Sequence, residues 1–242
     1  ISRPPCLMNM DVAVLAGTVD KNAHHILGET PPILAPIGLR SYLDYLLDWL
    51  VSYGARRVVL CLGEGSQRVL DHLAANPRED ITIETSIEDT PQGTAGALRY
   101  ARDMLRTNPV LVLNGDSFVS ADLSRFIVSH EGSGLNASIL CTRVDEAGRF
   151  GLVELDQDGQ RVTTFRQKPV QPGMPGVVNA GVYLFSADLL DEIASNGATS
   201  LEEDILQQRA PGTISAFVGD FPFCDVGIPE DLARAHEFFC RI

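Results

Sequence analysis

The chain has 242 residues, 45% hydrophobic and 21% charged, a composition that supports one large core and excludes a disordered or fibrous protein. Its formal net charge of -13 opposes binding to nucleic-acid backbones, and no Lys/Arg cluster with interleaved aromatics offsets it. No apolar run reaches the roughly 18 residues of a membrane helix, and the opening residues ISRPPCLMNM lack a long apolar stretch, so the expected compartment is the cytoplasm.

Five cysteines (Cys6, Cys61, Cys141, Cys224 and Cys240) are scattered and contain no CxxC pair, so reduced thiols are expected rather than disulfides or a zinc site. Met10 to Leu15 reads as a buried first strand running into a loop at Ala16-Gly17. Leu43, Leu46, Leu47 and Leu50 have helical spacing within Ser41 to Val51, and Gly54 supplies a natural stop. Arg57 to Leu62 is expected as a strand, Ser66 to Ala75 as a helix and Ile81 to Thr85 as a strand. A Gly-containing loop at 88–96 then leads into a helix ending near Arg106, and Val110 to Leu113 forms a strand ahead of Asn114-Gly115-Asp116. This alternation of buried strands and helices implies a doubly wound, mainly parallel sheet.

Beyond about residue 137 the strands are closely spaced: Ala137 to Thr142, Gly151 to Leu155, Arg161 to Arg166 and Val178 to Phe185, with a turn at 156–159. Two short helices are expected at Ala187 to Ala194 and Leu201 to Gln208. A strand at Ile214 to Val218 follows, and a closing helix begins after Ile228-Pro229.

In an open α/β sheet the ligand lies outside the carboxyl ends of the strands, which draws attention to Asp116. It is either a turn residue or a ligand for a hard cation such as Mg²⁺, which takes one or two carboxylates plus substrate phosphates. Asp225 interrupts an apolar segment beside Gly227 and is the candidate partner; otherwise it is a helix N-terminal acid. Glu88 opens a loop with two glycines and could accept the paired N–H donors of guanine, or merely cap the helix. Lys168 at a strand end could hold a phosphate, and Asn179 could bond a sugar hydroxyl, or either is a solvated or turn residue. No GxGxxG follows the first strand, which argues against a dinucleotide-dependent oxidoreductase.

The stretches EDTPQGTAGAL (88–98), LVLNGDSF (111–118), RFGLVELDQDGQ (149–160), FRQKP (165–169), NAGVYLF (179–185), SLEEDIL (200–206) and FCDVGIPEDLARA (223–235) occur in a familiar order and spacing. The chain thereby resembles the sugar-1-phosphate nucleotidylyltransferases, in particular the mannose- and heptose-1-phosphate guanylyltransferases. The resemblance implies a Rossmann-like three-layer α/β/α fold with a mixed, mainly parallel sheet, of the nucleotide-diphospho-sugar transferase type. A single such domain is expected over 11–242 behind an N-terminal extension, 1–10, with the nucleotide-binding half at about 11–136 and the sugar-binding half at about 137–242.

The implied substrates are a nucleoside triphosphate and a sugar 1-phosphate, and the implied cofactor is Mg²⁺ on Asp116 and Asp225. Lys168 matches the lysine that holds the sugar phosphate. Gly151, Asn179 and Glu202 match sugar-side positions, Glu88 and Gly93 the base loop, and Ala16, Gly17, Thr94, Asn114 and Gln167 are further substrate-binding positions. Gln167 stands where the family usually has Glu. Self-association is compatible with the family.

The chain departs from the family in its first loop. Thr18 and Asp20 replace glycines, Asn22 replaces the arginine that grips the triphosphate, and Pro32 replaces a phosphate-binding lysine; Lys21, His24 or His25 could compensate. Two expectations follow: an active nucleotidylyltransferase, or a catalytically silent binding or regulatory paralogue.

Overall fold

The computed structural model of the chain describes residues 6–17, 27–166 and 173–240. In chain order, strand β1 (Val12–Ala16) is followed by a two-residue pair, β2 (Pro36–Ile37) and β3 (Arg40–Ser41), then helix α1 (Tyr42–Ser52), β4 (Arg57–Leu62), α2 (Ser66–Ala75) and β5 (Thr82–Ile87). Next come α3 (Gly93–Ala101), β6 (Val110–Asn114), β7 (Ser117–Val119), α4 (Leu123–Ser133), β8 (Ala137–Val144), β9 (Leu152–Leu155) and β10 (Val162–Arg166). The chain closes with β11 (Gly176–Phe185), α5 (Ala187–Ser195), β12 (Ser215–Gly219), β13 (Phe223–Asp225) and α6 (Pro229–Phe239).

Side chains along a strand point alternately to opposite faces, and β1 shows what this does. Val12 and Val14 join one buried cluster with α1 and α4, whereas Ala13 and Leu15 join a second with α3 and α5. Helices therefore cover both faces of the sheet, giving the expected three layers. Strands β6, β1, β4 and β5 lie side by side and parallel. Strand β11 runs antiparallel to β6, β8 and β9, β9 pairs antiparallel with β10, and β12 adds to β8 in parallel, so the sheet is mixed. Among the described residues no helix is long and apolar enough to cross a membrane.

Local chemistry explains where the expectations and the structure differ. The helix expected to reach Arg106 ends at Ala101 in a 3₁₀ turn, Arg102–Met104, because the buried Asp11 carboxylate takes the Arg106 and Thr107 amides at 2.6 and 3.2 Å. The helix expected at Leu201 to Gln208 is a π-helical turn, Leu201–Leu206, in which the Gln207 amide reaches back to the Glu202 carbonyl at 2.9 Å. Helix α4 was not anticipated, although Asp122 caps it through the Ser124 and Arg125 amides at 2.9 and 3.3 Å and Gly134 ends it at φ 63°. The short pairs β2/β3 and β7/β13 were likewise unforeseen.

Asp11 also accepts from Arg57 Nη1 at 2.7 Å, so one carboxylate ties the start of β1 to β4 and to the approach to β6. Removing it leaves two backbone amides without this acceptor, beside a partly buried Arg57 that keeps Glu84 as its partner. Asp11→Ala is expected to lower unfolding stability by about 2 kcal/mol in a urea titration.

Candidate active site

The four parallel strands all end at one edge, at Ala16, Leu62, Ile87 and Asn114, and the strand order reverses at β1, with β6 on one side and β4 on the other. Such a switch point opens a crevice. Two cavities lie at this edge. The larger, about 320 Å³, is lined by Asn114, Asp116, Gly151, Asn179, Glu202 and Asp225 among others. The smaller, about 170 Å³, is lined by Gly17, Glu88, Gly93 and Thr94 among others. Ala16 lines neither; it ends β1 one residue short of Gly17.

Asp116 and Asp225 meet through the pairing of β7 with β13, in which Asp225 stands opposite Ser117. The Val226 amide donates to the Asp116 carbonyl at 2.7 Å, and the Gly227 amide donates to Asp225 Oδ1 at 2.9 Å. A Cβ placed on Gly227 would lie 3.2 Å from Asp225 Oδ1 and 3.9 Å from Asp116 Cβ, so both acids border the same small space. Asp231, in the first turn of α6, accepts from the Asp225 amide at 3.2 Å.

Beneath this pair the buried Tyr42 hydroxyl donates to the Ser117 carbonyl at 2.7 Å. Burial pushes its pKa well up, and the nearby carboxylates of Asp116 and Asp225 push in the same direction. Phe118 packs edge-on against Trp49 and Phe239, each with ring centroids 5.0 Å away, which anchors β7 to α1 and α6. Among the described residues no group of three or more His, Cys, Asp and Glu side chains is placed to hold a metal. A pair of carboxylates suits a hard cation that keeps waters or phosphate oxygens as its remaining ligands.

In the larger cavity Asn179 Nδ2 donates to the Tyr183 hydroxyl at 2.7 Å, and that hydroxyl donates to Glu202 Oε1 at 3.0 Å. Tyr183 is fully buried; burial raises its pKa far above the usual range, and the Glu202 carboxylate adds to the effect. The register of β11 against β8 shifts between Asn179 and Val182, a bulge that re-aims Asn179 toward the crevice. Gly181 makes this possible: its φ is 73°, and a Cβ there would lie 2.6 Å from Ser117 Oγ and 2.9 Å from Asn114 Nδ2. Asn114 Oδ1 and Ser117 Oγ are buried without hydrogen-bond partners among the described residues, as expected of groups awaiting a polar ligand. Arg166 also lines this cavity and pairs with Glu154 at 2.5 Å.

In the smaller cavity Glu88 follows β5 directly and is buried. Its Oε2 accepts from the Gln92 amide at 3.4 Å, whereas Oε1 is buried and unpartnered among the described residues. Burial raises its pKa, opposed by the Gln92 hydrogen bond and the Arg99 charge. Thr94 lines this cavity, but its Oγ1 accepts from the Leu201 amide at 2.8 Å.

Gln167 and Lys168 lie outside the described residues, as do Thr18, Asp20, Lys21, Asn22, His24 and His25. Pro32 is buried in a 3₁₀ turn, Pro32–Leu34. Tyr183 and Ser117 escaped the sequence reading. Tyr183 looks like one more apolar residue of a strand, and its only signal is a phenol at a position that would otherwise be aliphatic.

Comparison with known proteins agrees with this arrangement. The family described as Nucleotidyl transferase matches residues 28–241. The D-glycero-alpha-D-manno-heptose 1-phosphate guanylyltransferase of Aneurinibacillus thermoaerophilus is 29% identical over 233 residues, covering 94% of this chain and 97% of that protein. The mannose-1-phosphate guanylyltransferase catalytic subunit beta of Danio rerio is 30% identical over 226 residues, covering 92% of this chain and 62% of that protein. The solved structure of HddC from Yersinia pseudotuberculosis, complexed with GMP-PN, superposes with a TM-score of 0.84 at 27% identity over 95% of this chain and 99% of that one. With a mixed α/β/α sheet, two cavities at its switch point and a family match over most of its length, the chain belongs to the nucleotidyl transferase family.

Proposed function

We propose that the chain transfers GMP from GTP to a hexose or heptose 1-phosphate, giving a GDP-sugar and pyrophosphate. The observation that carries this reading is the convergence of Asp116 and Asp225 beside a cavity lined by sugar-type acceptors. The guanylyltransferase names of the relatives and the GMP-PN in the HddC structure support guanine as the base. So does Glu88, whose unpartnered Oε1 offers the acceptor that guanine's paired N–H donors require.

In this reading the smaller cavity takes the base and the larger takes the sugar. An oxygen of the sugar phosphate attacks the α-phosphorus of GTP; the bond from that phosphorus to the β-phosphate bridging oxygen breaks, and pyrophosphate leaves with the electron pair. The protein contributes chiefly by placing the reactants and balancing their charge. Asp116 and Asp225 would hold Mg²⁺, which supplies cationic charge to the phosphate oxygens. Glu202, oriented by Tyr183, and Asn179 would receive sugar hydroxyls, and Lys168 would hold the sugar phosphate. A carboxylate-lined cavity in a chain of net charge -13 makes such cations necessary.

Pyrophosphate release from GTP with mannose 1-phosphate or a heptose 1-phosphate, in the presence of Mg²⁺, tests the assignment. Turnover is expected, and Asp116→Asn or Asp225→Asn is expected to lower kcat by about 10²–10³-fold. Tight GDP-mannose binding without turnover, unrescued by Asn22→Arg combined with Pro32→Lys, would instead identify a silent binding paralogue.

Glu88 carries a second expectation, in which function and stability oppose each other. Burial raises its folded-state pKa, so its contribution to stability is present below its unfolded pKa and is lost as pH rises through the folded value. At pH 7 the ionised group therefore opposes folding. Glu88→Gln is expected to raise Tm at neutral pH while raising KM for GTP about 10–100-fold, the loss associated with charged hydrogen bonds. In the wild type, KM for GTP is expected to climb on acidification at a higher pH than an ordinary carboxylate would give.

A further inference from the structure

The loop that borders the smaller cavity is fastened to the segment that carries Glu202. The Ala95 amide donates to the Thr199 carbonyl at 2.9 Å, and the Leu201 amide donates to Thr94 Oγ1 at 2.8 Å. Arg99 Nη1 donates to the Ala198 carbonyl at 2.9 Å. Gly93, at φ 76°, abuts the same segment so closely that a Cβ would overlap the Thr199 carbonyl oxygen. Segment 198–204 is in turn locked internally. Asp204 Oδ2 accepts from the Thr199 amide, the Thr199 hydroxyl and the Ser200 amide at 2.8, 3.0 and 2.9 Å, and Ser200 Oγ accepts from the Glu203 amide at 3.0 Å.

Next to Leu201, Glu202 projects into the larger cavity and meets the Tyr183 hydroxyl. The backbone here is a π-helical turn, a form that occurs mostly as a single turn and often at functional sites. One hydrogen-bonded unit thus touches both cavities.

We infer that Thr94 is a positioning residue for the sugar carboxylate: through the Leu201 amide it sets the π-helical turn and hence Glu202, and so couples the nucleotide loop to the sugar cavity. The inference rests on reading the smaller cavity as the base site and the larger as the sugar site. By chain position Thr94 belongs to the base loop, and a hydroxyl there would ordinarily be assigned to the nucleotide. Its acceptor oxygen is engaged by Leu201 instead, and Leu201 is fully buried, so its amide has no solvent to turn to if the threonine hydroxyl is lost. If a nucleotide orders the 88–94 loop, the same contacts order Glu202, and by linkage a bound sugar phosphate favours nucleotide binding to the same extent.

Two substitutions and two readouts test this. Thr94→Val keeps the shape and removes the acceptor; Thr94→Ser keeps the acceptor. With GTP, Mg²⁺ and mannose 1-phosphate, Thr94→Val is expected to raise KM for mannose 1-phosphate about tenfold, the effect of one lost hydrogen bond, while Kd for GTP measured without the sugar phosphate stays within about twofold. Thr94→Ser is expected to restore the wild-type value. Amide hydrogen exchange at Leu201 and Glu202 should be faster in Thr94→Val, and GTP with Mg²⁺ should slow it in the wild type but not in the valine variant. A rise in Kd for GTP, measured without the sugar phosphate, equal to or larger than the rise in KM for mannose 1-phosphate would make Thr94 a nucleotide contact and overturn the inference. Unchanged exchange at both amides would also overturn it. If the wild type fails to turn over these substrates, the functional assignment fails by itself, and the exchange measurement with GTP still decides whether the bridge exists.

Discussion

A three-residue antiparallel pairing, β7 with β13, is the constraint on which the site rests. It brings Asp116, which follows a central strand, beside Asp225, which precedes the last helix, and the Val226 to Asp116 backbone bond holds them there at 2.7 Å. So short a ladder contributes little by itself, because an isolated two-stranded ribbon is marginal in water. Its rigidity is borrowed. Phe118 is wedged between Trp49 and Phe239, and the Tyr42 hydroxyl holds the Ser117 carbonyl from below, so α1 and α6 fix the carboxylates through the apolar layer under them. Two acids held side by side repel each other, a cost that a bound cation would relieve.

The rest of the crevice follows from the sheet. Parallel β1, β4 and β5 deliver Gly17 and Glu88 to one side, and antiparallel β11 delivers Asn179 to the other. A bulge is needed because β11 must pair with β8 and with β6 while turning Asn179 into the cavity, and only a residue without a side chain fits at 181, above Ser117 and Asn114. Segment 198–206 closes the arrangement by leaning on α3 and offering Glu202 to the larger cavity. Polar groups that would be unfavourable in a core, namely Glu88 Oε1, Asn114 Oδ1 and Ser117 Oγ, have no hydrogen-bond partner among the described residues at this edge, as in sites organised for a ligand before it arrives.

Much of this was legible in the chain before any coordinates. Strongly apolar strands such as 57–62 and 110–114, flanked by helical periodicity, specify the parallel half, and the ends of those strands point to Asp116 and Glu88. Asp225 is a candidate partner for Asp116 from its apolar segment and the neighbouring Gly227, with the alternative of a helix N-terminal acid, and the family pattern favours the pairing, since no periodicity links residues so far apart. Helix α4 went unseen because its apolar positions, Leu123, Phe126 and Ile127, are interleaved with Ser, Arg and Gly residues; its capping acid and terminal glycine were the stronger signs. Tyr183 was hidden for the opposite reason, as a phenol in a run of buried strand residues. The role of Thr94 depends on a contact with residue 201, and such a long-range hydrogen bond leaves no mark in local sequence.

The account stands on a cation shared by Asp116 and Asp225. The most direct measurement is an anomalous-scattering crystal structure with Mn²⁺ in place of Mg²⁺ and GTP bound. A single peak within coordination distance of both carboxylates and of a phosphate oxygen, lost in Asp225→Asn, is the predicted result. A nucleotide-bound crystal in which the metal sits away from these two acids, or in which Asp225→Asn leaves the peak in place, would contradict it.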